Sequence, residues 1–418
     1  MGVIYVLSRS LEFCLKSNQY VLSIFIIFHF YKISEKMKNI LLLLIAVLSY
    51  GIAPAQTIYE EFESRKLDTT RRLKIQLPRN YEQNQDKVYP IVLVLDADYL
   101  FEPVAGNVDY FSYWEDMPES IVVGVIQGDT RYDDAYYDDV NYMPVDSGAD
   151  FFEFLGLELI PYIDSKYRTA KFIITVGHDF TANFINYYLF KDPPLFNGII
   201  SLSPDTAPSM GERLLQRIPA IENRMFYYLA TGTDDIKGLQ EAAIELDAQL
   251  KTVKSEKFNY YFDNFEGATH YSLVGRGIPN ALEKIFAVYR PISKQQYTDE
   301  LMTTTKPINE YLSEKYQTIK DLFGLDNPIR VNDYIATATA SEKRKQWGSL
   351  KAIAAMAQRD YPDTVLGDYY MARFLEETGE PKKAMRTFQG AFNKEEVEFI
   401  TIDLMLDKAD KIKEDFGY

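Results

Sequence analysis

Cysteine, tryptophan and histidine are nearly missing from this chain, with one, two and three copies in 418 residues. A single cysteine, Cys14, builds neither a disulfide framework nor a cysteine-ligated metal centre. Three histidines, His29, His178 and His270, limit where imidazole chemistry can occur. Positive charge is also in deficit, since 45 Lys and Arg against 61 Asp and Glu leave a formal net charge of −16. Such a surface repels a phosphate backbone, which argues against nucleic acid as a partner. Nothing in the sequence implies a cofactor, and no metal is expected.

The longest apolar run sits near the start. From Met37 the chain has a charged start, an apolar stretch and a small-x-small ending at Ala53, Pro54 and Ala55, which is the pattern of a secretory signal peptide over 37–55. Residues 1–36 read most simply as an upstream extension of the reading frame, with Met37 the true start. The rival reading, a membrane segment over residues 20–31, falls below spanning length. Cleavage near Ala55 would remove five basic and two acidic residues and take the net charge from −16 to −19. It would also remove Cys14, leaving no lipid-modified cysteine and no transmembrane helix in the mature chain. A periplasmic or secreted location is expected.

Residues 176–182 read Val-Gly-His-Asp-Phe-Thr-Ala. Before them, residues 171–176 form a β-branched and aromatic run too short for a buried helix. After them, residues 182–191 carry Phe184, Ile185, Tyr188 and Leu189 at helical spacing. A strand, a glycine-bearing turn and a helix in this order make a nucleophile elbow, written G-x-S-x-G, whose strained backbone lifts one side chain above the sheet. Here Asp179 stands where serine is expected, and Thr181 replaces the second glycine.

Five other segments complete a pattern. They are Pro90-Ile-Val-Leu-Val-Leu-Asp-Ala-Asp-Tyr-Leu-Phe101, the strand-like run 120–126, the loop Asp129-Thr-Arg-Tyr-Asp-Asp134, the helical run 151–168 ending in Tyr167 and Arg168, and Leu195-Phe-Asn-Gly-Ile-Ile-Ser-Leu-Ser-Pro204. With the elbow, these resemble the esterase family of α/β-hydrolases, the group of esterase D, feruloyl esterases and siderophore esterases, over residues 57–290. The resemblance implies an α/β-hydrolase fold with a central, mostly parallel sheet.

The same resemblance implies a set of site positions. Asp179 takes the nucleophile position, His270 that of the base, and Asp235 or Asp234 that of the acid, in the chain order of the fold. The backbone N–H groups at Asp98 and Phe180 take the oxyanion positions. His178 packs and bonds within the elbow. His270 has a second reading, as a histidine held only by packing. If the site is complete, the Asp179 carboxylate approaches the His270 ring, lowering its own pKa and raising that of the histidine.

A carboxylate is a competent nucleophile toward alkyl carbon but a poor one toward esters, where attack gives a mixed anhydride. Dehalogenases and epoxide hydrolases carry a Gly-His-Asp elbow, commonly followed by Trp. This chain has Phe180 there, and its tryptophans are Trp114 and Trp347. The lost hydroxyl, the lost second glycine and Asp205-Thr-Ala-Pro208 after the Ser-Pro pair point to a catalytically inactive member. The alternative is a hydrolase with Asp179 as nucleophile and His270 as base. A lesser possibility is an oxygen-rich cation site made by Asp98 and Asp179 near His270. The acidic cluster Asp129, Asp133, Asp134, Asp138 and Asp139 reads as a solvated rim loop.

After residue 290 the strand-like runs stop. Residues 291–296 read as a linker and 291–418 as a small all-helical domain. A helix is expected over 341–359, before Pro362. Residues 369–392 resemble one tetratricopeptide repeat, with Ala372 and Leu375 on a first helix, Gly379 at the turn, and Ala384, Phe388 and Ala391 on a second. An inactive hydrolase domain joined to such a region suggests a protein partner and a scaffolding role at the cell envelope.

Overall fold

Eight strands in the order β1-β2-β4-β3-β5-β6-β7-β8 make one sheet in the computed structural model, which describes residues 57–418. The expected signal peptide, the upstream extension and Cys14 lie outside the described residues. β1 (Ile58–Ser64), β2 (Thr69–Gln76) and β4 (Ile121–Val125) pair antiparallel. β3 (Tyr89–Val94), β5 (Thr169–His178), β6 (Gly198–Leu202), β7 (Met225–Asp234) and β8 (Phe258–Thr269) continue from β4 in parallel. This is the expected mostly parallel α/β sheet.

Alternation along the strands divides the core. Ile91 and Leu93 face one cluster with Ile173, Ile199 and Leu229, while Val92 and Val94 face the other with Ile174, Ile200 and Tyr228. Period-2 side-chain direction in a sheet covered on both sides requires this near-continuous apolar sequence. The run 151–168 covers the first face as the helix Ser147–Glu153, a π-helical turn Phe154–Leu159 and the helix Ile160–Lys166. The helices Phe101–Tyr113 and Val274–Ile285 cover the second.

The helix Ile308–Phe323 joins the helical region to the sheet. Its Ile308 and Leu312 belong to a third apolar cluster, while Ile319 and Phe323 belong to the second. The Phe323 ring stands edge-on to Phe172 of β5, with centroids 4.8 Å apart. Residues 366–390 form a helical hairpin, Leu366–Glu377 and Pro381–Gly390, with Gly379 at φ 83° in the turn and Ala372, Ala384, Phe388 and Ala391 buried. The single helix expected over 341–359 is instead the end of Val331–Lys343 and a second helix, Trp347–Asp360. Lys345 breaks it by taking φ 55°, and the Gln346 N–H closes the turn onto the Ser341 carbonyl at 2.8 Å. No helix among the described residues is long and apolar enough to cross a membrane.

Candidate active site

β5 ends at His178, and Asp179 follows at φ 61° and ψ −119°, outside the regions open to ordinary side chains. The strain is held from both sides. The Asp179 N–H donates to the Leu202 carbonyl at 3.0 Å, and its carbonyl accepts from the Asn183 and Asp205 N–H groups, each at 3.2 Å. The helix Phe180–Phe184 starts directly afterwards and tightens into a 3-10 turn, Ile185–Phe190. Gly177 is required here, since a Cβ would stand 2.6 Å from the Thr181 backbone carbon and oxygen.

Thr181 does more than add bulk. Its hydroxyl accepts from the His178 N–H at 2.9 Å and donates to Asp96 Oδ2 at 2.5 Å, and the residue is fully buried. Asp96 itself is buried at φ 52° in the loop after β3. Its charge is met by Arg131, whose Nε lies 2.5 Å from Oδ1. Burial raises the Asp96 carboxyl above its usual range, although Arg131 pulls the other way.

Arg131 is the residue that binds the site together. Its Nη2 donates to the His178 carbonyl at 2.9 Å, its Nη1 meets Asp179 Oδ2 at 3.3 Å, and its guanidinium lies 5.3 Å from the Phe180 ring centre. The sequence marked its loop but not its role. Of that loop's acidic residues, Asp129, Asp133 and Asp139 are exposed and Asp138 half-buried, as a solvated rim requires, and Asp134 departs from that expectation. Asp134 is buried, paired with Arg71 and bonded by Gln127 Nε2 at 3.0 Å, and burial pushes its carboxyl up to about 6.

His270 and Asp235 are brought together. His270 Nδ1 donates to Asp235 Oδ1 at 2.9 Å, and Ser203 Oγ stands 3.1 Å from the same nitrogen. Burial alone would raise the Asp235 carboxyl, but bonds from His270, Ser203, Thr231 and the Ile236 N–H outweigh it and hold it at about 2. The sequence alternative Asp234 ends β7 and makes no such bond.

The expected ion pair between Asp179 and His270 is not formed. Arg131 takes the carboxylate instead, and burial raises the Asp179 carboxyl above its usual range even against the pull of Arg131 and His270. Asp98, which a cation site at the elbow would need, is taken up by backbone N–H groups. Its Oδ2 accepts from the Gln127 and Gly128 N–H groups, both at 3.0 Å. Among the described residues, the backbone N–H groups of Asp98 and Phe180 have no backbone acceptor.

His178 is buried and bonds at both nitrogens, to the His270 carbonyl and to the Tyr99 hydroxyl, each at 3.0 Å. A carbonyl only accepts, so Nε2 carries the proton and Tyr99 donates to Nδ1. Burial and the neighbouring His270 push His178 down to about 4. A cavity of about 510 Å³ lies elsewhere, at the starts of β3 and β4 against the helical region, lined by Tyr89, Ser120, Arg330 and Tyr361. Its cations are already matched, in the pairs Arg79–Asp109, Lys87–Glu119 and Arg330–Glu115.

Residues 64–292 match the family described as putative esterase. An uncharacterised protein from Capnocytophaga ochracea is 32% identical, with a TM-score of 0.78 over 86% of this chain and 100% of that one. That share exceeds the span 64–292, so the match runs into the helical region. An IroE-like serine hydrolase from Shewanella oneidensis is 18% identical, with a TM-score of 0.56 over 73% of this chain and 99% of that one, and it shares the fold. No curated protein matches the chain.

Proposed function

The chain belongs to the putative esterase family, and from that membership we propose that it is a non-hydrolytic member acting by binding. One observation carries the reading: the elbow side chain is a carboxylate whose Oδ2 is held by Arg131. Acyl transfer begins when a base takes a proton from the nucleophile. Asp179 has no such proton when ionised. The guanidinium further stabilises the charge that attack would have to spend.

In this reading the signal pattern at 37–55 exports the protein, and the helical region 291–418 offers a face to a protein partner at the cell envelope. Exposed Phe392, Phe399 and Phe416 on that region support a docking role. N-terminal mass spectrometry should find Gln56 at or near the start of the mature chain.

A second reading, a hydrolase with Asp179 as nucleophile, is favoured by the His270–Asp235 contact at 2.9 Å, which is the base–acid pair such a mechanism needs. Activated short-chain esters separate the two. The wild-type protein should hydrolyse 4-nitrophenyl acetate no faster than Asp179→Asn, and a clearly faster wild type would establish the second reading.

A further inference from the structure

A serine elbow presents a hydrogen-bond donor to its histidine, whereas this elbow presents an acceptor. Ionised Asp179 can only accept. His270 gives its Nδ1–H to Asp235, so Nε2 of the neutral ring is an acceptor as well. The residue is only 7% exposed, yet among the described residues its Nε2 has no hydrogen-bond partner. The His270 ring lies 4.3 Å from that of His178, whose Nε2–H reaches the His270 carbonyl at 3.0 Å, so His270 sits against the residue that precedes Asp179. Two acceptors therefore share the cleft without a donor between them.

Charge points in the same direction. Asp96, Asp179 and Asp235 are set against one guanidinium, and Asp205 adds its field to that of Asp179. Arg131 makes its close contact with Asp96 at 2.5 Å and reaches Asp179 through a single contact of 3.3 Å. Asp179 Oδ1 is left without an ion-pair partner among the described residues. Aromatic rings border the two residues' neighbours: Tyr132 packs 4.6 Å from the ring of Phe180, which follows Asp179, and the exposed Tyr271 stands 5.0 Å from the His270 ring.

We propose that this cleft binds a primary ammonium group, donating to Asp179 Oδ1 and His270 Nε2 and flanked by Tyr271. An ammonium has three donors and no acceptor, the complement of what the cleft offers. The aromatic faces add cation–π attraction. A carboxylate ligand would meet the surplus of aspartates, and a neutral alcohol would satisfy one acceptor without using the charge. The proposal rests on the non-hydrolytic reading, since it assigns the elbow carboxylate to binding.

Calorimetric titration of the purified protein with n-butylammonium chloride tests it, with n-butanol and sodium butyrate at matched ionic strength as controls. The amine should bind saturably and the controls should not. Loss of a charge-assisted hydrogen bond in Asp179→Asn should weaken binding about tenfold or more. Tyr271→Ala, at an exposed position, should weaken it about two- to fivefold. Cadaverine and Nα-acetyl-lysine amide then separate a free amine from a protein side chain as the source. No saturable amine binding, or equal binding by Asp179→Asn, would overturn the proposal. Ester turnover on the same preparation keeps the two ideas apart. Turnover together with amine binding removes the non-hydrolytic reading alone, and the absence of both removes the ammonium site alone.

Discussion

Arg131 Nη1 stands 3.3 Å from the Asp179 carboxylate while its Nε stands 2.5 Å from Asp96, so one guanidinium joins the elbow to the loop after β3. Because Asp96 is buried, that link serves stability before it serves any ligand.

Arg131→Ala would leave the Asp96 charge buried and unmatched. Breaking a buried pair from one side costs about 3–5 kcal/mol. Urea denaturation at pH 7 should show a loss of that order. A loss under about 1 kcal/mol would mean that Asp96 is met by other donors.

Thr181→Gly restores the family spacing and should nonetheless destabilise the protein. It removes the hydroxyl that bonds Asp96 at 2.5 Å and accepts from the His178 N–H at 2.9 Å. A hydrogen bond to a charged group is worth about 1.5–3 kcal/mol. Thermal unfolding should therefore shift downward, and an upward shift would show that the threonine is a burden on the elbow.

The elbow was legible because it is local: a strand run, Gly177 and a helical pattern lie within about twenty residues, and each carries its own periodicity. The family pattern offered His270 either Asp235 or Asp234 as its acid and left the choice open, and only the 2.9 Å contact in the structure singles out Asp235. The Arg131 contacts were not, because they join residues 35 and 48 positions apart and nothing in Asp129-Thr-Arg-Tyr-Asp-Asp134 tells which carboxylates its arginine will face. The same blindness made Asp134 look solvated. An acidic loop reads as exposed until Arg71 of β2 is placed beside it. The break at Lys345 was hidden for a different reason, since a left-handed lysine leaves no mark in the sequence.

Two buried carboxyls should give the stability–pH curve opposing slopes. A carboxyl raised in the folded state contributes fully below its unfolded pKa, and the contribution is lost as pH climbs through the folded one. Asp134, pushed up from 3.8 to about 6, should therefore lose stability between those values. Asp235, lowered from 3.8 to about 2, contributes above 3.8 and loses it as pH falls toward 2. For the buried Asp134 the shift corresponds to roughly 2–3 kcal/mol. Denaturation from pH 4 to 7 should show a shallower decline in Asp134→Asn than in wild type, and parallel curves would place the titration elsewhere.

His178 should remain neutral through the physiological range. With Nε2–H donating to the His270 carbonyl and the ring pushed down to about 4, its nitrogen NMR signals should report the Nε2–H tautomer from pH 8 to below pH 5. A midpoint near 6.5 would mean that the ring is more open to water than its packing against His270, at 4.3 Å between centroids, implies.

Asp179→Ser tests how much of the hydrolytic apparatus remains. The elbow backbone is already at φ 61°, so serine would inherit the raised position without rebuilding the turn. The His270–Asp235 contact is in place at 2.9 Å, and the Phe180 and Asp98 N–H groups have no backbone acceptor among the described residues. A serine hydroxyl would also supply the donor that the cleft lacks. General-base assistance is worth roughly 10²–10⁴ in rate. Asp179→Ser should hydrolyse 4-nitrophenyl acetate on the order of 10² times faster than Asp179→Asn, and adding His270→Ala should abolish the gain. The lower end of that range is expected because Arg131, freed from Asp179, still lies beside the elbow and can draw the ester carbonyl away from the backbone donors. If Asp179→Ser is no faster than Asp179→Asn while both fold, the dyad does not face the elbow side chain, and the second reading of this protein loses its base.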